Sequence, residues 1–452
     1  MRGVPISRAH MIYRSVLLAI LLAVLMVIAG CTSEVTPGVA PGASLPATSF
    51  SRQPAIEMPS ALAPTPSSGS SSLSLWVPDF MSTDPNRPGG VLLDRMLSGF
   101  EMASGEPLQV RTQAKVRYGK GGLLDYLRTA QPVAPIILPD IIALDAAELE
   151  QAVAVGAIRP LDELIDAEVL DELYPAARAL GRIGGRQYGV PFALDIEQVV
   201  YDPAVTSNVP ETWTGLLAGN TRYLLPLSIP AVRTGPAAGV PPALLSHYLG
   251  AEYALDFEAR QLELDSEPLL RILSFYDQAV EQGQLDERPE DVTGLQDAKP
   301  FYEAGTDAVI QASARQLMTD WEQHEHLAYA AAPGWSSPSP PIATGWVLAV
   351  VTPDPARQQR AAELLTWLLA PERNGRWTEA TGWLPVSSAG WDFREESPYG
   401  DFLDEQLKAA APLPVGADSA AAALALQQAV LSVVRDGVSP VDAARQALDS
   451  TQ

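Results

Sequence analysis

The chain has 452 residues, with 30 basic against 54 acidic side chains, a formal charge of −24 and one cysteine. That surplus of carboxylates repels nucleic acid and anionic lipid, so nucleic acid is not an expected partner. A lone cysteine excludes a disulfide within the chain.

The first thirty residues read as a leader rather than as part of the fold. Arg2, Arg8 and Arg14 make a basic start, and Val16 to Ile28 is an unbroken run of apolar and small residues. Such a run is short for a membrane span and right for the apolar region of a signal peptide. It ends in VIAGC, Val27 to Cys31, which resembles the bacterial lipobox. In that motif the cysteine is lipidated and becomes the first residue after cleavage. Residues 1–30 are therefore expected to be a lipoprotein signal peptide, with Cys31 as the membrane anchor. Residues 31–72 are dominated by Pro, Ser, Ala, Gly and Thr. They hold too few large apolar groups for a packed core and read as a tether.

The body beginning near Leu73 has about 380 residues, more than the ~250–300 that one hydrophobic core commonly supports, so two lobes are expected. LSLWV, Leu73 to Val77, reads as a strand closed by Pro78-Asp79. A helix follows with Val91, Leu92, Met96 and Phe100 on one face. LQVRTQ is a short strand, and a helix covers Leu123 to Thr129. PDIIALDAAELEQAVAVGAI gives strand, acidic turn, helix and a stop at Gly156. This alternation predicts a parallel sheet in an α/β lobe. QYGVPFALDIEQVVYDP, Gln187 to Pro203, reads as one extended run with Asp195 and Glu197 at its centre. Further strands are expected in RYLLPLS, DAVIQAS and TGWVLAVV, and helices over Pro268 to Gln282 and ARQQRAAELLTWLLAPE. The Ala-rich C-terminal third is helical. Ser439 caps its last helix and Pro440 stands in the first turn.

Several fragments recur in a recognisable order. LSLWV opens the body, and PDIIALDAAELEQAVAVGAIRPLDELI joins a Pro-Asp strand to a helix and a Pro-Leu-Asp turn. QYGVPFALDIEQVVYDPA leads into VPETWTGLL, FYEAGTDAVIQAS into YAAAPGW, and ATGWVLAVV into TGWLPVSS. Together they resemble the extracellular solute-binding proteins of family 1, the sugar-type binding lipoproteins of bacterial ABC importers, a group related to maltose-binding protein. The resemblance implies a two-lobed α/β fold of the periplasmic-binding-protein kind. Each lobe would be a β-sheet flanked by helices, with hinge crossings and a ligand cleft between them. Lobe I would comprise 73–194 and 342–384, and lobe II 195–341 and 385–452. Crossings are expected at YGVPFALDIEQVVYDP, near PSPPIATGW and near TGWLPVSS. Closure on a carbohydrate would present a surface to permease subunits of the transporter. A monomer, lipid-anchored at Cys31 on the extracellular or periplasmic side and without a cofactor, is expected.

A sugar needs directed hydrogen-bond partners for its hydroxyls and flat apolar platforms for its C–H faces, which carboxylates and Trp or Tyr supply. In an extended segment Asp195 and Glu197 share a face, with Leu194 and Ile196 on the other. A solvated sheet edge would place them in the same way. Asp79 and Phe80 follow the first strand, where ligands gather in open α/β sheets. Asp145 ends IIALD by the same geometry, although Asp before a helix also serves as an N-cap. Ser313 ends the AVIQAS strand. Trp346 and Trp383 sit at the inferred crossings and are the expected stacking platforms. Trp213 and Trp367 read as structural. The predicted site residues include no Arg or Lys group, which disfavours a phosphorylated solute and leaves a polyamine as the alternative.

Enzyme chemistry finds little support. His10, His247, His324 and His326 form no H-E-x-x-H, and neither a Gly-x-Ser-x-Gly nor a phosphate-binding Gly loop is present. No metal site is expected. A glycosidase needs two carboxylates flanking a scissile bond, which neighbours on one strand cannot easily do.

Overall fold

Val190, Phe192 and Leu194 precede Asp195, and Val199 and Val200 follow it; all five are buried. They nevertheless belong to two different sheets. The computed structural model describes residues 71–227, 241–285, 291–319 and 324–451, all within one compact unit, Pro66–Gln452. The leader, Cys31 and the tether up to residue 70 lie outside the described residues.

β1 (Ser71–Pro78) pairs in parallel with β2 (Leu108–Lys115) on one side and β3 (Ile141–Asp145) on the other. β4 (Gly189–Asp195) and β5 (Glu197–Tyr201) are separated by Ile196 alone. β6 (Arg222–Leu224), β7 (Ala308–Ser313), β8 (Ala328–Ala330), β9 (Ile342–Val350) and β10 (Ala411–Pro412) follow. The first sheet runs β2–β1–β3–β9–β4, with β10 beside the start of β9. The second runs β8–β5–β7–β6. The stretch 189–201 therefore leaves one sheet at Asp195, opposite Thr344, and enters the other at Glu197, opposite Ser313.

Parallel pairing holds for β1 with β2 and β3, for β6 with β7, and for β10 with β9. β9 runs antiparallel to both β3 and β4, and β5 is antiparallel to β7 and β8. β3, IIALD, is buried at every position because both its neighbours and both its faces are covered.

The helices follow from their apolar spacing. α1 (Gly90–Ala103) buries Leu93, Leu97 and Phe100. The expected face, led by Val91, is out of phase: Val91 is 43% exposed. Leu93, Leu97 and Phe100 recur at intervals of four and three and make the stripe that packs on the sheet. Leu92 and Met96 flank it, half-buried. α2 (Leu123–Ala130) buries Leu123, Leu124 and Leu127, and α3 (Leu149–Ala154) follows β3. α4 (Pro242–Gly250) and α5 (Ser266–Glu281) cover the second sheet. α6 (Pro355–Leu369) begins at Asp354, whose carboxylate accepts from Arg357 N at 2.9 Å. α7 (Pro371–Thr381) stops at Gly382, where φ is 68°. α8 (Pro398–Ala409), α9 (Ala417–Val434) and α10 (Pro440–Ser450) complete the chain. Ser439 caps α10 as expected, accepting from Asp442 N at 3.2 Å. Leu269, Ile272, Leu273 and Tyr276 of α5 join Leu426, Val430 and Val433 of α9 in one core. Each such side chain contributes about 1.5–3 kcal/mol when fully buried.

One buried cation ties these parts together. Arg260, at φ 51°, is fully buried. Its guanidinium donates to the carbonyls of Ala179, Leu180 and Arg182 ahead of β4, and to Leu413 O after β10. Burial lowers its pKa to about 10.

Candidate functional site

The carboxyl ends of β1, β2 and β3 lie at one edge of the first sheet, with Pro78 opposite Lys115. The residues that follow them therefore converge. Phe80 comes after β1, Tyr118 after β2, and Asp145 closes β3 beside Trp346 of β9. The Phe80 ring meets Trp346 edge-on at 5.2 Å and Trp383 at 5.1 Å with a 31° tilt. Tyr118 lies 6.0 Å from Trp346 and donates its hydroxyl to Asp145 Oδ2 at 2.6 Å. Asp145 Oδ1 accepts from Ala147 N at 3.0 Å, so this carboxylate is also an N-cap. Asp79 accepts from Arg117 Nε at 2.8 Å and pairs with Arg87 at 3.3 Å. The hydrogen bond from Arg117 is the main reason its carboxyl sits below the usual range.

The second sheet brings its own groups to the same place. Ser313, at the end of β7, donates to Asp195 Oδ2 at 2.6 Å, and Arg315 N donates to Oδ1 at 3.2 Å. Burial pushes the Asp195 pKa up, and the bonds from Ser313 and Arg315 oppose that rise. The Arg315 guanidinium lies 4.4 Å from the centre of the Trp383 ring and 5.9 Å from that of Phe80. Desolvation lowers its pKa; Asp195 counters this, and Arg117 adds to it. The crossings are stitched together at this point: Leu194 exchanges backbone hydrogen bonds with Leu384, and Thr344 Oγ1 donates to Asp195 O.

A cavity of about 1010 Å³ opens beside this junction, lined by Asp195, Glu197, Gln311, Ser313, Arg315 and Thr344 among others. Its volume matches the upper end of the ~300–1,000 Å³ common for small-molecule pockets. The wall behind it is polar and braced. Gln311 Oε1 accepts from Tyr223 OH at 2.8 Å, and that hydroxyl is 2.9 Å from His247 Nε2. Gln311 Nε2 is buried without a hydrogen-bond partner among the described residues.

The eight residues expected from the sequence thus fall into two adjoining groups. Asp195, Glu197 and Ser313 line the cavity. Phe80, Trp346, Trp383, Asp79 and Asp145 form the aromatic cluster and its polar rim, and Arg315 borders both groups. One expectation is overturned: the site does contain cations. Arg117 and Arg315 stand over Phe80, and Lys299 lies on the cavity wall. Arg117 and Tyr118 follow β2 just as Asp79 and Phe80 follow β1, so the rule that found one pair could have found the other. Arg315, two residues beyond Ser313, carries no comparable signal. Trp346 and Trp383 are also more enclosed than platforms awaiting a ligand, at 4% and 7% exposure. Trp213 is buried and structural, its Nε1 donating to Pro333 O. Trp367 is half-buried, with Nε1 donating to Met96 O. Among the described residues no group of three His, Cys, Asp or Glu is placed to hold a metal ion.

The fold recurs in solved structures. The cyclic α-maltosyl-1,6-maltose binding protein of Arthrobacter globiformis superposes with a TM-score of 0.67 at 19% identity, over 85% of this chain and 98% of that one. The sugar-binding protein MalE of Xanthomonas citri gives 0.64 at 17% identity, over 84% and 96%. Maltose-bound MalE3 of T. maritima gives 0.60 at 16% identity, over 84% and 98%. The fold is therefore the two-lobed one of maltose-binding proteins. No curated protein sequence matches the chain significantly. The sequence pattern of the bacterial extracellular solute-binding proteins matches residues 115–389. That span includes the crossing at Asp195, both walls of the cavity and both site tryptophans, and on it the chain belongs to the bacterial extracellular solute-binding protein family.

Proposed function

We propose that this protein captures a carbohydrate, a mono- or oligosaccharide, between its lobes and delivers it to the permease of an ABC importer. Residues 73–194 with 342–384, and 195–341 with 385–452, act as the two lobes. The crossings absorb the backbone change as they close. A signal peptide over residues 1–30 is removed, and the Cys31 lipid holds a monomer on the extracellular or periplasmic face. The observation that carries the reading is the junction at Asp195. Directed acceptors (Asp195, Glu197) and a hydroxyl (Ser313) line a cavity that adjoins a cluster of Phe80, Trp346 and Trp383. Hydroxyl partners beside aromatic faces are what a sugar requires. Asp79 and Asp145 hold the rim through Arg117 and Tyr118. Two of the similar proteins named above are described as binding maltose or a cyclic maltosyl-maltose, which supports an α-glucoside as the first class to test.

A cationic solute such as a polyamine is the second reading, favoured by Asp195, Glu197 and Glu303 on the cavity wall. Hydrolysis is disfavoured, since Asp195 and Glu197 lie two apart on one extended stretch and so approach a ligand from one side. A thermal-shift screen of the full chain separates the two binding readings. Glucose, maltose, maltotriose and xylo-oligosaccharides are compared with putrescine and spermidine. A shift with a sugar supports the proposal, and a shift with a polyamine alone overturns it.

A further inference from the structure

Trp383 is one of the two tryptophans expected to stack a sugar, yet its ring is already covered. Phe80 leans on it at 5.1 Å, and the Arg315 guanidinium lies over it at 4.4 Å. Only 7% of the residue is exposed. Arg315 reaches this position from a short helix, Ala314–Thr319, that packs against the turn before Trp383. There a Cβ on Gly382 would meet Thr319 Oγ1 at 3.3 Å. The guanidinium is loosely held. Its Nε is buried without a hydrogen-bond partner among the described residues, as is Trp383 Nε1. Arg117, over the other ring of the cluster, repels it. What holds it is the ring face and the fields of Asp195 and Asp79; the Asp195 carboxylate is already engaged by Ser313 Oγ and Arg315 N, and that of Asp79 by Arg117.

We infer that Arg315 competes with the ligand for the face of Trp383 and so sets the affinity of the site. A sugar ring and the guanidinium cannot both lie on that face. Each binding event must first displace the side chain, and the free energy of lifting the guanidinium off the indole weakens the net affinity by that amount. The backbone N–H of residue 315, which serves Asp195, does not depend on the side chain. The inference rests on the carbohydrate reading proposed above.

The test is calorimetric titration of the full chain and its variants with maltose, maltotriose and xylo-oligosaccharides. Arg315→Ala is expected to tighten binding by roughly tenfold, the strength of a partly desolvated cation–π pair expressed as a binding ratio. Arg315→Gln, of similar length but uncharged, should move in the same direction and serves if the alanine variant folds poorly. In the wild type, the indole N–H resonance of Trp383, assigned with Trp383→Phe, should shift as sugar is added. If sugar binds the wild type while both Arg315 variants bind equally or more weakly, Arg315 is no competitor and the inference falls, with the carbohydrate reading intact. If no sugar binds any form, the carbohydrate reading falls and takes the inference with it.

Discussion

His247 offers a prediction whose size follows from the structure. It lies on α4, fully buried, between two tyrosines. Nε2 is 2.9 Å from Tyr223 OH and Nδ1 is 2.9 Å from Tyr276 OH. Tyr223 gives its proton to Gln311 Oε1, so Tyr223 OH accepts from His247 Nε2–H, and Nδ1 accepts from Tyr276. The ring is thus fully satisfied while neutral. Burial lowers its pKa from 6.5 to about 3, with Gln311 opposing. In the unfolded chain the ring takes up a proton near the ordinary value. Between the two values the unfolded state binds more protons, so stability falls as pH drops below about 6.5. From pH 7 to pH 5 the linkage amounts to about 2 kcal/mol. Urea unfolding of the wild type and of His247→Gln at both pH values isolates this amount, because every other titrating group is common to the two. The wild type should lose about 2 kcal/mol more than the variant over that interval. Equal losses would refute the neutral, enclosed histidine. Because the folded ring stays neutral over that interval, the Tyr223–Gln311 brace on the cavity wall is unchanged, and this histidine gives solute binding by the folded protein no pH dependence there.

Other consequences are independent of that ring. Asp195→Asn removes a buried charge whose pKa is raised by desolvation, so stability at pH 7 should hold or rise. Sugar affinity should fall by about tenfold or more, as expected when a charge-assisted hydrogen bond is removed. Denaturant melts and titration check both halves, and an unchanged affinity would remove Asp195 from the site. Glu197→Gln should weaken binding in the same assay while leaving the melt unchanged. Arg260→Met leaves four carbonyl groups without their donor and should cost about 3 kcal/mol in unfolding free energy. A melt like that of the wild type would refute the guanidinium as a stabilising tie between the segments it joins.

The crossing at Asp195 is legible in the sequence because its pattern is unusual: two carboxylates interrupt a run that is otherwise buried. An apolar segment that changes sheet needs burial at both ends and tolerates polarity only where it passes from one to the other. Trp346 and Trp383 can be picked out by their place at the crossings, but their enclosure cannot. Ring burial depends on Phe80 and Arg315, which are distant in sequence. The direction of β9 is hidden for a different reason, because a fully buried run such as TGWVLAVV looks the same in either orientation. The face of α1 is misplaced by the sequence pattern because Val91 and Leu92 stand next to the true stripe. Arg315 leaves no trace. A single arginine after a strand is ordinarily solvated, and only its position over Trp383 makes it a site residue.

The most direct test of the account is a calorimetric titration of the full chain at pH 7 with maltotriose and xylo-oligosaccharides, with spermidine as the contrasting solute. Saturable binding of a sugar at one site, reduced in Asp195→Asn, is expected. The sugar should also stabilise the folded state by about 2.7 kcal/mol at a hundred times its Kd. Saturable binding of spermidine with no heat from any sugar would contradict the carbohydrate reading.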